Sequence, residues 1–420
     1  MPGSKHILVI GGGILGLCTA YYAVRKGHRI TILERAGGPE HACCSTVNAG
    51  MIVPSHFVPL AAPGMVSLGL RMLFNPESPF RIKPRWNREL FDWLWKFWRA
   101  ANARHVERSA SLLRDLHLAS RRCYEELADK PGFDFGLVKK GLLMLCKTEH
   151  TLYEEAKTAE AARQLGLSAE VLTPEQTARL DPGIRMDIAG AVYFPLDCHL
   201  TPQRLMTQLR QYLQSQGVTF HWSTAVVGWQ VGVDRIDAVR TEKSELTADE
   251  YVIAGGAWSP EIARGLEVRL PLQAGKGYSM TLSRPKQLPT ICSILTEARV
   301  AVTPMGEALR FGGTMEIVGL DESINQARVN GIIKSIPHYF PDFGPEDFQD
   351  EPVWSGLRPC SPDGLPYLGR FSRYSNLSTA TGHAMMGLSL GPISGQLMAE
   401  VLSGEKPAID ISALSPDRYG

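Results

Sequence analysis

The sequence predicts an α/β protein: a Rossmann-like domain with an inserted α+β domain built on an antiparallel sheet. Three observations predict it. The first is the opening stretch 5–35. There the apolar run Ile7-Leu8-Val9-Ile10 meets Gly11-Gly12-Gly13-Ile14-Leu15-Gly16, then a helical pattern, a turn at Lys26-Gly27-His28, the run Ile30-Thr31-Ile32-Leu33, and Glu34. This is strand, G-x-G-x-x-G, helix, strand, acid. The second is a further strand leading into a glycine turn and a helix start, Val252-Ile253-Ala254-Gly255-Gly256-Ala257-Trp258. The third is length: 420 residues exceed what one hydrophobic core usually organises.

The opening motif carries chemistry as well as fold. Gly11 permits the tight turn after the strand, Gly13 lets the backbone approach a pyrophosphate, and Gly16 lets helix and strand pack closely. A pyrophosphate would sit on the unpaired N–H groups and positive end of the helix. Glu34 ends the second strand, where its carboxylate can accept hydrogen bonds from a ribose diol. A dinucleotide is therefore the expected ligand.

Composition narrows the rest. Hydrophobic residues make up 44% and charged residues 21%, as in ordinary soluble globular proteins. The formal net charge is +1, with 44 Lys and Arg against 43 Asp and Glu, so nucleic acid is not an expected partner. The eight cysteines (18, 43, 44, 123, 146, 198, 292 and 360) are scattered without a C-x-x-C pair. That argues against a metal site or a disulfide framework and fits reduced thiols in a cytoplasm. The apolar stretch 7–24 reads as a buried βα unit, not a signal or a membrane span, because its glycine cluster fits strand, turn and helix.

Along the chain, 36–50 is a loop of small and polar residues, and Pro54, Pro59 and Pro63 break regular structure as far as Gly64. A helical pattern starts at Met65 and is interrupted between Pro76 and Pro84. An aromatic helix follows with Trp93, Trp95 and Trp98 beside Lys96 and Arg99, and a long amphipathic helix is expected over about 109–127. Residues 135–146 alternate as a strand kinked at Gly141, 152–165 is helical, and 190–194 is a short strand. Thr201 as cap and Pro202 in the first turn open another helix. Strands at 219–221, 225–231 and 235–241 suggest a meander. Residues 270–345 read as strands plus one helix, 322–336. The tail carries Gly382-His383 and Gly387-Leu388-Ser389-Leu390-Gly391 before a last helix. The expected division is 1–85, 199–268 and 350–420 in the dinucleotide domain, and 86–198 and 269–349 in a substrate domain.

Taken with Gly356-Leu357-Arg358-Pro359 and Pro362-Asp363-Gly364-Leu365-Pro366, these glycine turns resemble the D-amino-acid oxidase superfamily, nearest to its bacterial D-amino-acid dehydrogenases. Asn48-Ala49-Gly50, Ala61-Ala62-Pro63-Gly64 and Lys276-Gly277-Tyr278-Ser279 are also typical of that family. The resemblance implies an FAD-binding domain of the glutathione-reductase type. Gly11, Gly13, Ile14, Leu15, Gly16, Glu34 and Arg35 would hold the ADP half, and Ser45, Thr46, Asn48, Ala49 and Gly50 the loop at the pyrophosphate and flavin. Val226 or Val227 would lie against adenine. Gly255, Gly256 and Trp258 would line the ribityl side, and Gly387, Leu388, Ser389 and Leu390 would bring helix-start N–H groups to the flavin.

The same resemblance gives Arg358 the substrate carboxylate, a role for which a forked, permanently charged guanidinium is suited. Tyr278 is the expected second substrate contact. His56 and His383 are better placed than His199 as candidate bases. Cys360 reads as a buried thiol, not a flavin attachment point. The implied reaction is hydride transfer from a D-amino acid, D-proline or hydroxy-D-proline among them, to flavin, with a quinone or other electron carrier as acceptor. The tryptophan helix has two readings, burial between elements or peripheral contact with the inner face of a membrane. A homo-oligomer is left open. The rivals are a glycine- or sarcosine-type oxidase using oxygen and a non-catalytic flavin-binding subunit.

Overall fold

A computed structural model describes residues 3–67, 78–83 and 85–420. The helical pattern expected from Met65 falls largely outside them. Two sheets organise the rest. In the first, strands run in the order Tyr367–Arg370, Leu377–Thr381, Glu250–Ile253, His6–Ile10, Arg29–Leu33, Thr219–His221. All neighbours are parallel except the edge pair Tyr367–Arg370 with Leu377–Thr381.

This sheet is buried on both faces, which explains its unbroken apolar runs. Ile7 and Val9 face the helices Ile14–Arg25, Pro202–Ser215, Gly391–Leu402 and Ala103–Ala128. Leu8 and Ile10 face the opposite side, where the three-stranded ribbon Val226–Val231, Ile236–Thr241, Glu245–Leu246 covers them. The strand Thr219–His221 therefore belongs to the parallel sheet and not to the expected meander: its run continues the βαβ crossover from Pro202–Ser215.

The second sheet, nine strands among the described residues, runs Trp354–Cys360, Gln273–Leu282, Ala308–Ile317, Val300–Met305, Cys292–Leu295, Leu142–Cys146, Gly190–Phe194, Glu170–Leu172, with Phe80–Ile82 beside Ala308–Ile317. It is mostly antiparallel, with parallel pairing of Cys292–Leu295 to Leu142–Cys146 and of Phe80–Ile82 to Ala308–Ile317. Helix Gln326–Ser335 packs on one face, shorter than the 322–336 expected.

Local chemistry explains most of the element ends. Asn87 caps helix Arg88–Ala100 by accepting from the N–H groups of Glu89 and Leu90, and Asn102 caps Ala103–Ala128 by accepting from His105. Thr201 occupies the cap position of Pro202–Ser215, but its side chain makes no capping bond. The strand expected over 135–146 begins only at Leu142, just past Gly141. On the aromatic helix Trp93 is 3% exposed whereas Trp95 and Trp98 are each 57% exposed, so burial between elements describes one face of that helix only. Its apolar character exceeds the one face that finds packing partners.

Candidate active site

The carboxyl ends of the parallel strands bring the glycine turns together. Gly11 follows His6–Ile10, Ala254 and Gly255 follow Glu250–Ile253, and Gly382 follows Leu377–Thr381. Ligands of open α/β sheets bind at this edge. Gly11 has φ +118°, a conformation that side chains resist, and a Cβ there would run into the Ala254 carbonyl. A Cβ at Gly16 would strike the Gly11 carbonyl, and one at Gly395 the main chain of Cys18, so both helices close tightly on the turn.

The cradle leaves donors unspent. Ile14 N–H donates to Ser45 Oγ at 3.1 Å, and Leu17 N–H returns to the Gly13 carbonyl. The N–H groups of Gly13, Leu15 and Gly16 find no acceptor among the described residues, as expected for a first helical turn waiting for an anion. Glu34 accepts from Gly12 N–H at 2.7 Å through Oε2 and from Ala36 N–H at 2.8 Å through Oε1. Each carboxylate oxygen keeps a second lone pair for a ribose hydroxyl. Beyond it Thr224 N–H donates to the Glu34 carbonyl, which leads the chain past this edge to Val226. Val226 packs on the core below, and Val227 is 60% exposed. Arg35 stacks on the Trp258 ring at 3.7 Å, so the two side chains stand together.

A second cradle faces the first. The N–H groups of Gly387, Leu388 and Ser389 also lack acceptors among the described residues, just ahead of helix Gly391–Leu402. The carbonyls of that turn are already taken: Tyr124 Oη donates to Leu388 O and Ser120 Oγ to Ser389 O, both at 2.6 Å. Ser389 Oγ accepts from Val53 N–H at 3.0 Å and meets His117 Nδ1 at 2.9 Å. Fixed carbonyls and open N–H groups make a one-signed site, favourable to an anionic ring edge. His117, Ser120 and Tyr124 carry no sequence signature beyond their places on an amphipathic helix, and sequence reasoning passed over them.

The loop between the cradles is clamped from the large sheet. Arg310 donates to the Thr46 and Asn48 carbonyls at 3.1 and 2.7 Å, and Ser279 Oγ to Val47 O at 3.0 Å. Burial pulls the Arg310 guanidinium down to about 10. Asn48 Oδ1 accepts from Gly50 N–H, Thr46 Oγ1 from Cys43 N–H, and Gly50 takes φ +78° where the chain turns against Leu200. Ala49 packs at the rim of the apolar cluster below.

Next to these turns lies a cavity of about 810 Å³, mostly apolar, reaching from Met386 past Arg358 to Trp93 and Phe97. Arg358 donates to Thr314 O at 2.6 Å, and no carboxylate among the described residues pairs with it. Its guanidinium lies over Gly277, where a Cβ would collide with it. Cys44 lines the same space, its thiol pushed up to about 11 by burial against the pull of Arg358. Cys360 is fully buried behind this wall, and its carbonyl accepts from Trp93 Nε1 at 2.8 Å.

The three other expected substrate contacts divide. His56 lines the cavity. Tyr278 does not offer its hydroxyl there. It alternates with Gly277 and Ser279 to the far face of the sheet, donates to Glu316 at 2.6 Å and accepts from Asn325 N–H. His383 is also turned away: it is 2% exposed, and its Nε2 meets Ser394 Oγ at 2.9 Å on the C-terminal helix. Its place after the strand end directs it back into the domain, and burial pulls it down to about 3. His199 is buried in the short ribbon with Met51–Ile52.

Orphaned N–H groups in two cradles, a poised carboxylate and glycines with no room for Cβ fit FAD. When bound, FAD supplies the hydride acceptor. Fold and site thus define a flavin-dependent oxidoreductase. The model of the FAD dependent oxidoreductase (DAO) family matches residues 6–401, and the chain belongs to that family. A D-amino acid dehydrogenase of Granulibacter bethesdensis is 31% identical over 419 residues, covering 99% of both chains. Another of Methylobacterium radiotolerans is 32% identical over 424 residues, again covering 99% of each. Among solved structures, glycine oxidase from Geobacillus kaustophilus aligns with TM-score 0.79 at 23% identity over 99% of each chain. L-proline dehydrogenase from P. horikoshii aligns at 0.75 and 18% identity, covering 100% of this chain and 98% of that one.

Proposed function

We propose that this chain is a D-amino-acid dehydrogenase that uses FAD, with Arg358 gripping the substrate carboxylate. One observation supports this most: beside the flavin-side turn, in a cavity whose lining is mostly apolar, Arg358 has no carboxylate partner among the described residues, whereas Arg299, which lines it too, faces Glu155. A bidentate grip would hold the α-carbon in one pose, and positioning supplies much of the rate in such a reaction. The apolar walls suit a compact or cyclic side chain, D-proline and hydroxy-D-proline included. In this reading segments 1–85, 199–268 and 350–420 carry the cofactor and 86–198 with 269–349 the substrate, with two amendments: helix Ala103–Ala128 packs on the first sheet and holds the flavin-side turn, and strands Phe80–Ile82 and Trp354–Cys360 belong to the second sheet.

The acceptor in this reading is a quinone-type carrier reached at a membrane surface. Trp86, Trp95 and Trp98 are exposed beside Arg88 and Arg99, while Lys96 is paired with Asp92, a combination suited to an anionic lipid interface. No helix among the described residues is long and apolar enough to cross a membrane.

The test is the visible spectrum of the purified holoenzyme under anaerobic conditions with D- and L-amino acids added singly. Bleaching by D-amino or D-imino acids, slow recovery in air and fast recovery with a quinone analogue are expected. Fast recovery in air with peroxide would make it an oxidase, and a flavin that no amine bleaches would overturn the reading.

A further inference from the structure

We infer that Asp197 and Ser55 form a proton relay behind His56, which makes His56 the acceptor of the substrate's ammonium proton. The inference rests on the D-amino-acid reading and adds to it the residues that free the amine lone pair. The three side chains stand in a line. Ser55 Oγ donates to Asp197 Oδ2 at 2.5 Å, and Ser55 N–H donates to Asp197 Oδ1 at 3.1 Å. Ser55 Oγ also meets His56 Nδ1 at 3.0 Å. A hydroxyl has one proton. With Asp197 ionised, Ser55 spends it on the carboxylate, so its oxygen accepts from His56 and the imidazole carries its proton on Nδ1. The lone pair is then on Nε2, which has no partner among the described residues, in a ring that lines the cavity. His56 N–H is anchored to Val53 O at 3.0 Å, and Ser55 and Asp197 are 7% and 1% exposed, so the line has little freedom.

The surroundings set the protonation. Burial pushes the Asp197 carboxyl up to about 7, opposed by its bonds to Ser55 and by Arg121 from the long helix; Cys198 and Cys292 are its other titratable neighbours. Burial pulls His56 down to about 4, and His117 faces it from the same long helix. The imidazole is thus neutral near pH 7, and the carboxylate behind it is basic enough to end a relay. In the step the ammonium N–H bond breaks and its proton joins His56 Nε2. The Nδ1 proton passes to Ser55 Oγ, and the Ser55 proton to Asp197 Oδ2. No electron is transferred, and the amine is left neutral with its lone pair available. Asp197 and Ser55 act as positioning residues through His56.

The test is the pH profile of anaerobic flavin reduction by a substrate D-amino acid in His56→Asn, Ser55→Ala and Asp197→Asn. Each should lose about 100-fold at pH 7, a general-base effect. Each should recover to within a few-fold of wild type at alkaline pH, where the substrate arrives already deprotonated. Equal loss at every pH, or no loss, overturns the relay. A second readout needs no substrate: ¹⁵N NMR of the His56 ring in the holoenzyme, assigned by difference from His56→Asn. An Nδ1–H tautomer that is lost in Ser55→Ala supports the relay, and an Nε2–H tautomer in wild type overturns it. If no amine bleaches the flavin at any pH, the proposed substrate class fails while the NMR still decides the relay. Should Asp197→Asn not fold, Ser55→Ala carries both measurements.

Discussion

The cofactor cradle and the substrate cavity are neighbours built on opposite principles. The cradle is made of backbone: glycines at 11, 13 and 16, open N–H groups, and carbonyls tied down by Ser120 and Tyr124. The cavity is made of side chains, mostly apolar, with Arg358, His56, Arg85, Arg299 and Glu155 among its polar lining. A backbone site of this kind has no room for a Cβ at Gly11 or Gly16 and is indifferent to much else. A side-chain site yields its chemistry to single substitutions while the fold persists.

The largest effect of a single substitution should come from breaking the cradle. In Gly16→Ala the new Cβ would meet the Gly11 carbonyl, a main-chain atom that cannot step aside. We expect destabilisation of about 4 kcal/mol or more and loss of bound FAD, read from flavin content after gel filtration and from the thermal midpoint. Next is Arg358→Lys, which keeps the charge but loses the fork. Flavin content should be unchanged, and kcat/KM for the best D-amino acid should fall about 100-fold, or about 2.7 kcal/mol. A loss of FAD in this variant would show that the two regions are not separable.

A third effect separates them by pH. His199, His117, His383 and His56 are held neutral, with burial pulling the first and last to about 4 and the other two to about 3. In the unfolded chain they take up protons below about 6.5. Their neutral, buried state therefore carries full stability above pH 6.5, and this is lost as pH falls toward 4, at about 1.4 kcal/mol per pH unit for each. Asp197 runs the other way, its raised carboxyl favouring the fold at low pH and losing that as pH rises through about 7. The thermal midpoint should drop from pH 7 to pH 5, and less steeply in His199→Gln.

The same contrast explains what the sequence discloses. The first βαβ unit, Glu34 and the turn at 252–258 were legible because backbone geometry admits few residue types there. The histidines were not separable by sequence: His56 faces the cavity while His383, beside the flavin turn, points into the C-terminal helix. Tyr278 lay one residue off, since a period of two sends neighbours to opposite faces. Asp197 and Arg310 act across more than 100 residues of chain, on Ser55 and on the 46–48 loop, and no local pattern encodes such a meeting.

The smallest effect lies on one helix that belongs to both descriptions. Trp93 faces inward, stacks on Phe97 at 5.1 Å between ring centres and donates to the Cys360 carbonyl. Trp95 and Trp98 stack on each other at the same spacing in solvent. Trp93→Leu loses apolar area and leaves a buried carbonyl without its donor, so it should cost about 2 kcal/mol. It should also raise KM, because the ring walls the cavity. Trp95→Gln removes a side chain that supports nothing beneath it and should shift stability by no more than about 0.5 kcal/mol, with kcat/KM for a soluble acceptor unchanged. Its effect should be confined to sedimentation with anionic vesicles. If Trp95→Gln lowers the thermal midpoint as much as Trp93→Leu, the outer face of this helix is packing surface, and the distinction between its two faces fails.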